Sequence, residues 1–261
     1  MTLLLIQSVI SFILSAVIVI LVTIIAERYG TKTGGIIGTL PSTLPIALIF
    51  IGLNQGDHFA AQVATVVPAE MGINLVFLFI FALLASRSLI LAIAGSFTIW
   101  TVLSLGLYFL NTNLLIVSLI IFIIALLTTF ITMEYKKKIP STSQVQVHYT
   151  PLKILLRGLL AGIVIAIAVS LSQIDAILSG MISVFPVIFF STMLISVREH
   201  GPGFAASLAK TMILGSITVV TYAILCSILY PCIGLLWGTI TAFIVSLGVA
   251  FILFLLRKKI R

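Results

Sequence analysis

The stretch Gly35–Ala61, GIIGTLPSTLPIALIFIGLNQGDHFAA, and the stretch Gly180–Ala206, GMISVFPVIFFSTMLISVREHGPGFAA, read as one segment written twice. At a constant, gap-free offset of 145 residues, Gly35 falls on Gly180, Ile37 on Ile182, Pro41 on Pro186 and Gly56 on Gly201. Phe59-Ala60-Ala61 falls on Phe204-Ala205-Ala206 at the same offset. Leu and Ile coincide readily in apolar sequence. Glycine, proline and an aromatic at fixed spacing do not, because they punctuate the backbone, so the pattern predicts an internal duplication.

The composition says where such a chain lives. Of its 261 residues 61% are hydrophobic and 8% charged, with a mean hydropathy of +1.36, whereas a soluble domain is about a quarter charged. The expected fold is therefore an all-α polytopic integral membrane protein whose partner is the lipid bilayer. A bilayer crossing needs about 20 apolar residues. That measure predicts nine helices, at residues 3–26, 34–53, 59–85, 88–110, 113–133, 154–174, 177–197, 204–229 and 232–256. The first is too long for a signal peptide and lacks its basic start and cleavage pattern.

The basic residues Arg28, Lys32, Arg87, Lys136, Lys137, Lys138, Lys153, Arg157, Arg198, Arg257, Lys258, Lys259 and Arg261 all fall on one side of nine crossings. The positive-inside rule makes that side cytoplasmic, with the N-terminus outside and the C-terminus inside an inner or plasma membrane. The net charge of +8 is thus a topology signal and not a nucleic-acid footprint. Residues 1–112 form a first four-helix repeat, 113–153 a linker helix with a basic cytoplasmic loop, and 154–261 a second four-helix repeat. An odd linker helix inverts the second repeat against the first. That plan is common among secondary transporters, whose substrate sites lie near mid-bilayer at the repeat interface.

Helix two carries Gly35, Pro41 and Pro45, with Thr39, Ser42 and Thr43 between or beside them, and is expected to break near its middle. Helix seven repeats the device with Gly180 and Pro186, flanked by Ser183, Ser191 and Thr192. Irregular backbone at membrane depth is tolerated where it faces protein or a water-filled cavity. Paired breaks in two halves of a chain therefore point to a binding site, although glycines and prolines also serve plain helix packing.

Glu70 lies eleven residues after Phe59, about 16 Å into the membrane, where a carboxylate costs at least a few kcal/mol. It should face the bundle interior, carry a proton or have a partner. Asn74, one turn on, shares its face, and Gln62 sits two turns before it. Lys210, about 9 Å deep in helix eight, is the expected partner; snorkelling to the headgroups is the alternative. His58 and His200 fall in loops near the two mouths. Cys226 and Cys232 read as small apolar residues, and no metal-ligand cluster, catalytic arrangement, nucleotide motif or cofactor site is present in the sequence.

The pattern of glycine, five residues, proline, an apolar run and a short polar loop, followed by LAKTMILG at Leu208–Gly215, resembles the small inner-membrane proteins of the GlpM type. The resemblance covers helices two to four and seven to nine. It implies a tandem fusion of two family-sized units, and it implies neither substrate nor catalytic residues. The expected function is a secondary transporter or permease moving a small solute or ion through a mid-membrane site that includes Glu70, Asn74 and Lys210. The alternative is a non-transporting scaffold or accessory subunit for envelope or lipid assembly. A homo-oligomer is compatible with either.

Overall fold

A computed structural model describes residues 2–37, 40–111, 114–139 and 150–259. Among these the chain is helical throughout, with no strand. Among the described residues seven helical spans are long and apolar enough to cross a membrane, residues 176–200 and 202–255 each counting as one, and the protein is a multi-pass, all-α membrane protein.

The elements are α1 (Thr2–Ile37), α2 (Leu44–Gln55), α3 (Asp57–Leu84), α4 (Leu89–Leu110), α5 (Leu115–Ile131), α6 (Pro151–Leu171), α7 (Ala176–Ser183), α8 (Val187–His200) and α9 (Pro202–Lys259). A π-helical turn, Thr132–Lys136, extends α5. Three boundaries depart from expectation. The first helix does not stop at Ala26 but runs on to Ile37. Residues 27–37 hold no proline, and Glu, Arg and Lys among them are good helix formers, so nothing ends the helix before the glycine pair. Gly35 consequently lies inside α1 and not at a break.

The interruption follows at residues 40–43, around Pro41. Pro45 breaks nothing, because it sits in the first turn of α2, where its missing N–H has no intrahelical partner to lose. What remains of the expected second helix is 12 residues, about 18 Å, or little more than half a bilayer core. The expected seventh helix divides into α7 and α8 at Val184–Pro186. Gly180 is not the cause, since it lies within α7, where a Cβ would stand 2.8 Å from the Val63 carbonyl oxygen. Its role is to let α7 cross α3 at backbone distance.

The expected eighth and ninth helices join as α9, whose backbone is non-helical at Gly234 (φ 78°, ψ 171°), three residues beyond Pro231. The two arms, residues 202–233 and 235–259, are tied across the kink by hydroxyls. Tyr230 lies 2.9 Å from Thr239 Oγ1 and 3.4 Å from the Tyr222 hydroxyl. Cys226 and Cys232 are both free thiols.

Two reverse turns share a conformation. Gly56 separates α2 from α3 at φ 90°, ψ 165°, and Gly201 separates α8 from α9 at φ 83°, ψ 171°. Helix ends and starts coincide here at the offset found in the sequence: α2 ends at Gln55 and α8 at His200, α3 begins at Asp57 and α9 at Pro202. Such a backbone is essentially reserved for glycine, and no atom lies within 4 Å of a Cβ built at either position. Gly56→Ala and Gly201→Ala are therefore each expected to destabilise through backbone strain alone, by a similar 1–3 kcal/mol, about the cost of one strained residue. Unfolding in detergent measures both; a marked inequality would argue that the two turns are not equivalent.

Packing is centred on α3, which touches α2, α4, α5, α7, α8 and α9. Its core residues, among them Val63, Ala64, Val67, Leu75 and Phe77, are wholly buried. The other extensive contact joins α1 to α6. There Gly158 and Gly162 meet the carbonyls of Ala16 and Phe12, at 2.8 and 2.7 Å from a built Cβ, and Ser8 meets Ser170 at 3.2 Å. This is the close approach through small residues that drives helix association where no hydrophobic effect acts between helices. The outer faces of α1, α4 and α5 leave Leu5, Ile13, Leu21, Val102, Phe109, Ile116 and Ile124 exposed, as lipid contact requires.

Candidate functional site

The two interrupted stretches come together. A cavity of about 70 Å³ is lined by Leu40–Leu44 from the first break and Ser183–Phe189 from the second, with Met71 of α3, Ala161, Val164 and Ile165 of α6, and Val219 of α9. Sequence separation had set these breaks 145 residues apart; packing of α2 and α7 on α3, with α6 against both, makes them two walls of one space. Because α2 and α8 both begin here, each presents the start of a half-helix, whose first amides lack intrahelical acceptors, to the cavity. Ser42 and Thr43 stand in one wall and Ser183 in the other. The Ser183 hydroxyl donates back to the Gly180 carbonyl at 2.7 Å, and Thr43 caps no amide of α2. Ser191, one turn into α8, is not a wall residue; its hydroxyl donates to the Ile188 carbonyl at 3.2 Å. Thr39 lies outside the described residues.

Behind the second break a polar network crosses from α3 to α4. Ser104 Oγ donates to Glu70 Oε1 at 2.8 Å, and one turn away Trp100 Nε1 donates to Asn74 Oδ1 at 3.0 Å. Glu70 with Asn74, and Trp100 with Ser104, are each four residues apart, so the two bonds form adjacent rungs between antiparallel helices. The Asn74 amide then donates to the Val184 carbonyl oxygen at 2.7 Å. That carbonyl is one of those freed where α7 ends, and Asn74 satisfies it at no cost in helix geometry. Phe185, next in the break, meets the Trp100 ring edge-on at 4.8 Å and lies nearly parallel to Phe97 at 6.1 Å. Asn74 thus holds the break to α3, and Trp100 holds both Asn74 and the break to α4.

Glu70 faces the interior as expected, wholly buried, but toward α4 and not into the cavity; its neighbour Met71, turned by about 100°, reaches the wall instead. Its second oxygen, Oε2, accepts no hydrogen bond. Gln62 does not join it and is exposed, because eight residues at 100° each leave it about 80° around the helix.

The expected Glu70–Lys210 pair does not form. Lys210, 5% exposed, instead makes an ion pair with Glu134 on the π-helical turn and donates to the Ile139 carbonyl at 2.8 Å. The extension of α5 beyond Ile131 brings Glu134 over that end of α9, closer to the lysine than a carboxyl at mid-helix. Lys153 at the start of α6 pairs with Glu199 at the end of α8. Asp175 is a helix cap, accepting from the Leu178 amide at 2.9 Å. His58 is exposed, whereas His200 stacks on Phe204 at 4.6 Å. Among the described residues no three His, Cys, Asp or Glu side chains group as metal ligands.

Sequence reasoning missed Trp100 and Ser104. Their spacing of four, on a helix that otherwise reads as uniformly apolar, was the available signal, matching the spacing of Glu70 and Asn74. No curated protein and no solved structure matches the chain. Residues 8–113, which span nearly all of α1 through α4, match the model of a family described as "Protein of unknown function (DUF3147)".

Proposed function

We propose that the protein is a secondary transporter or permease, in which two inverted four-helix units alternately expose the cavity between their interrupted helices and so move a small solute or ion. The observation that carries this reading is the shared cavity: two breaks 145 residues apart in the sequence line one space among the helices that can span a membrane. Irregular backbone there is stable only against protein or water, and discontinuous helices at a repeat interface are where transporter sites are built.

Supporting the duplication is the equal spacing of helix ends around Gly56 and Gly201. Equivalent members of the two units also pack on each other, α1 on α6 and α3 on α9, an arrangement that a two-fold relation allows. The family match ends at residue 113, beside the proposed boundary at 112. The resemblance of helices two to four and seven to nine to GlpM-type proteins belongs to the same tandem plan. On this reading the basic loops are cytoplasmic, the N-terminus is outside and the C-terminus inside. The chain carries out no catalysis of its own.

At about 70 Å³ the cavity has room for a few waters, so passage of a larger solute requires it to widen. The Lys210–Glu134 and Lys153–Glu199 pairs, which tie α9 to the end of α5 and α6 to α8, lie at the proposed cytoplasmic end and hold that side shut.

The test is cysteine accessibility in the full-length protein lacking Cys226 and Cys232. Single cysteines at Ser42 and Ser183 are expected to react with a small water-borne thiol reagent, from a side that changes with conditions. A cysteine at Ala64, wholly buried inside α3, is expected to stay protected. Protection of all three from both sides would mean a dry bundle and would favour the scaffold.

A further inference from the structure

Glu70 has no assigned task in the cavity wall, yet it is the one acidic side chain among the described residues that is wholly buried. One of its oxygens takes the Ser104 hydroxyl; the other takes nothing. An unpaired carboxylate oxygen away from water is among the costliest groups a membrane bundle can hold, and such a residue by default marks an ion or proton pathway. A metal cation is a poor occupant. Hard cations ask for about six oxygens, and only Ser104 and the already engaged Asn74 Oδ1 stand beside the carboxyl.

The neighbouring rung gives the carboxyl a means of acting. Trp100 has a single N–H, which here goes to Asn74 Oδ1, and it stands on the rung next to the Ser104–Glu70 bond, one helical turn along both helices. One donor thus has an engaged acceptor in Asn74 and a second acceptor, the open oxygen of Glu70, on the neighbouring rung. A charged carboxylate is the stronger acceptor, roughly twice as strong as a neutral one. With the carboxyl neutral, the amide of Asn74 keeps the indole.

We propose that Glu70 is a proton-binding site whose loading decides whether the Trp100 N–H is held by Asn74 or by Glu70, and thereby how firmly Asn74 clamps Val184 in the cavity wall. The carboxylate takes one proton from hydronium, forming the Oε2–H bond and releasing water. It gives the same proton back to water when the site faces the other way. Loaded, the site leaves Trp100 on Asn74 and the break clamped. Unloaded, Glu70 draws the indole away, Asn74 loses its anchor on α4, and residues 184–186 loosen.

No other titratable group competes for this role. On α3 itself Asp57 and His58 lie at the far end. Among the described side chains α2, α5 and α7 carry no charged residue, and α4 adds only Tyr108, which stacks on Phe109. On α9 Lys210 is held by Glu134, and Tyr222 and Tyr230 bond to each other, near Cys226. Arg198, Glu199 and His200 close the far end of α8.

This inference rests on the transport reading for its purpose, and the experiment separates the two. In the full-length protein lacking both native cysteines, the labelling rate of Ser183→Cys is measured from acid to alkaline pH, normalised to a separate control protein that keeps the exposed Cys232 as its single cysteine. In parallel, infrared difference spectra follow the carbonyl band of a protonated carboxyl. The rate is expected to rise about tenfold as that band disappears, the change a single lost hydrogen bond makes in an equilibrium. Glu70→Gln is expected to abolish both the band and the pH dependence. Trp100→Phe is expected to abolish the pH dependence of labelling while the band still titrates, which a merely structural Glu70 would not produce. A pH-dependent rate that survives Glu70→Gln, or a carboxyl band indifferent to Glu70→Gln, would overturn the proposal. If position 183 never reacts but the band titrates and is lost in Glu70→Gln, the proton site stands and the transport reading falls.

Discussion

Replacement of Asn74 by leucine is expected to destabilise the protein by about 2–4 kcal/mol, the cost of breaking two hydrogen bonds, one at a buried donor and one at a part-buried carbonyl. Asn74, itself wholly buried, accepts from Trp100 at 3.0 Å and donates to the part-buried Val184 carbonyl at 2.7 Å. Leucine has similar volume, so little of the loss comes from packing. The orphaned Val184 carbonyl lies in a stretch where no helix can recapture it, and the Trp100 N–H has only Glu70 left to turn to. Trp100→Phe provides the comparison, since it removes one bond of the pair and keeps an aromatic ring against Phe185. Its expected cost is about 1 kcal/mol. Equilibrium unfolding in mixed micelles gives the order directly. If Asn74→Leu costs no more than Trp100→Phe, the bond to Val184 contributes nothing to holding the break.

A second large effect is expected at Gly180. A Cβ there would stand 2.8 Å from the Val63 carbonyl oxygen and 3.1 Å from the Val66 Cβ. The first of these atoms is backbone of the most deeply packed helix and cannot rotate aside. Gly180→Leu must therefore push α7 off α3, at about 3 kcal/mol or more, and with it the break that follows at Val184. Gly106→Leu is the control. No atom lies within 4 Å of a Cβ at Gly106, and leucine is the better helix former by nearly 1 kcal/mol, so that variant should be neutral or slightly more stable. Comparable losses at both positions would show that the close approach of α7 to α3 is not what Gly180 provides.

These two residues also show where reading the chain stopped. Asn74 was recognisable as Glu70's neighbour on one helix face, because a spacing of four residues puts two side chains together in any helix. Its partner Val184 was not, since a backbone carbonyl becomes an acceptor only once its helix is interrupted, and its identity depends on where the interruption falls. Pro41 and Pro186 announced breaks, because proline removes an amide donor wherever it stands. Gly35 and Gly180 were read as part of the same device and are not: each lies within a helix, and only the neighbour of Gly180 across the interface explains its lack of a side chain.

Lys210 is the clearest case of a plausible pairing undone by packing. Depth along two helices placed it within a lysine's reach of Glu70, but depth says nothing about which faces turn toward each other. The π-helical extension of α5 brings Glu134 to the lysine, and the Ile139 carbonyl completes its surroundings. Glu70 is left with Ser104, from a helix whose two polar contributors were hidden in a lipid-facing sequence.

By itself the sequence determined the membrane class, the helical periodicity of long apolar runs, the approximate places of the breaks and the 145-residue repeat in the pattern of glycine and proline. These are local or compositional properties, written in transfer free energies and backbone geometry. Only the tertiary structure decided that the two breaks share a cavity, that Asn74 reaches Val184, and that Lys210 belongs to Glu134. Helices in lipid have similarly apolar surfaces all round, so which faces meet is settled by small-residue contacts and single hydrogen bonds between distant segments.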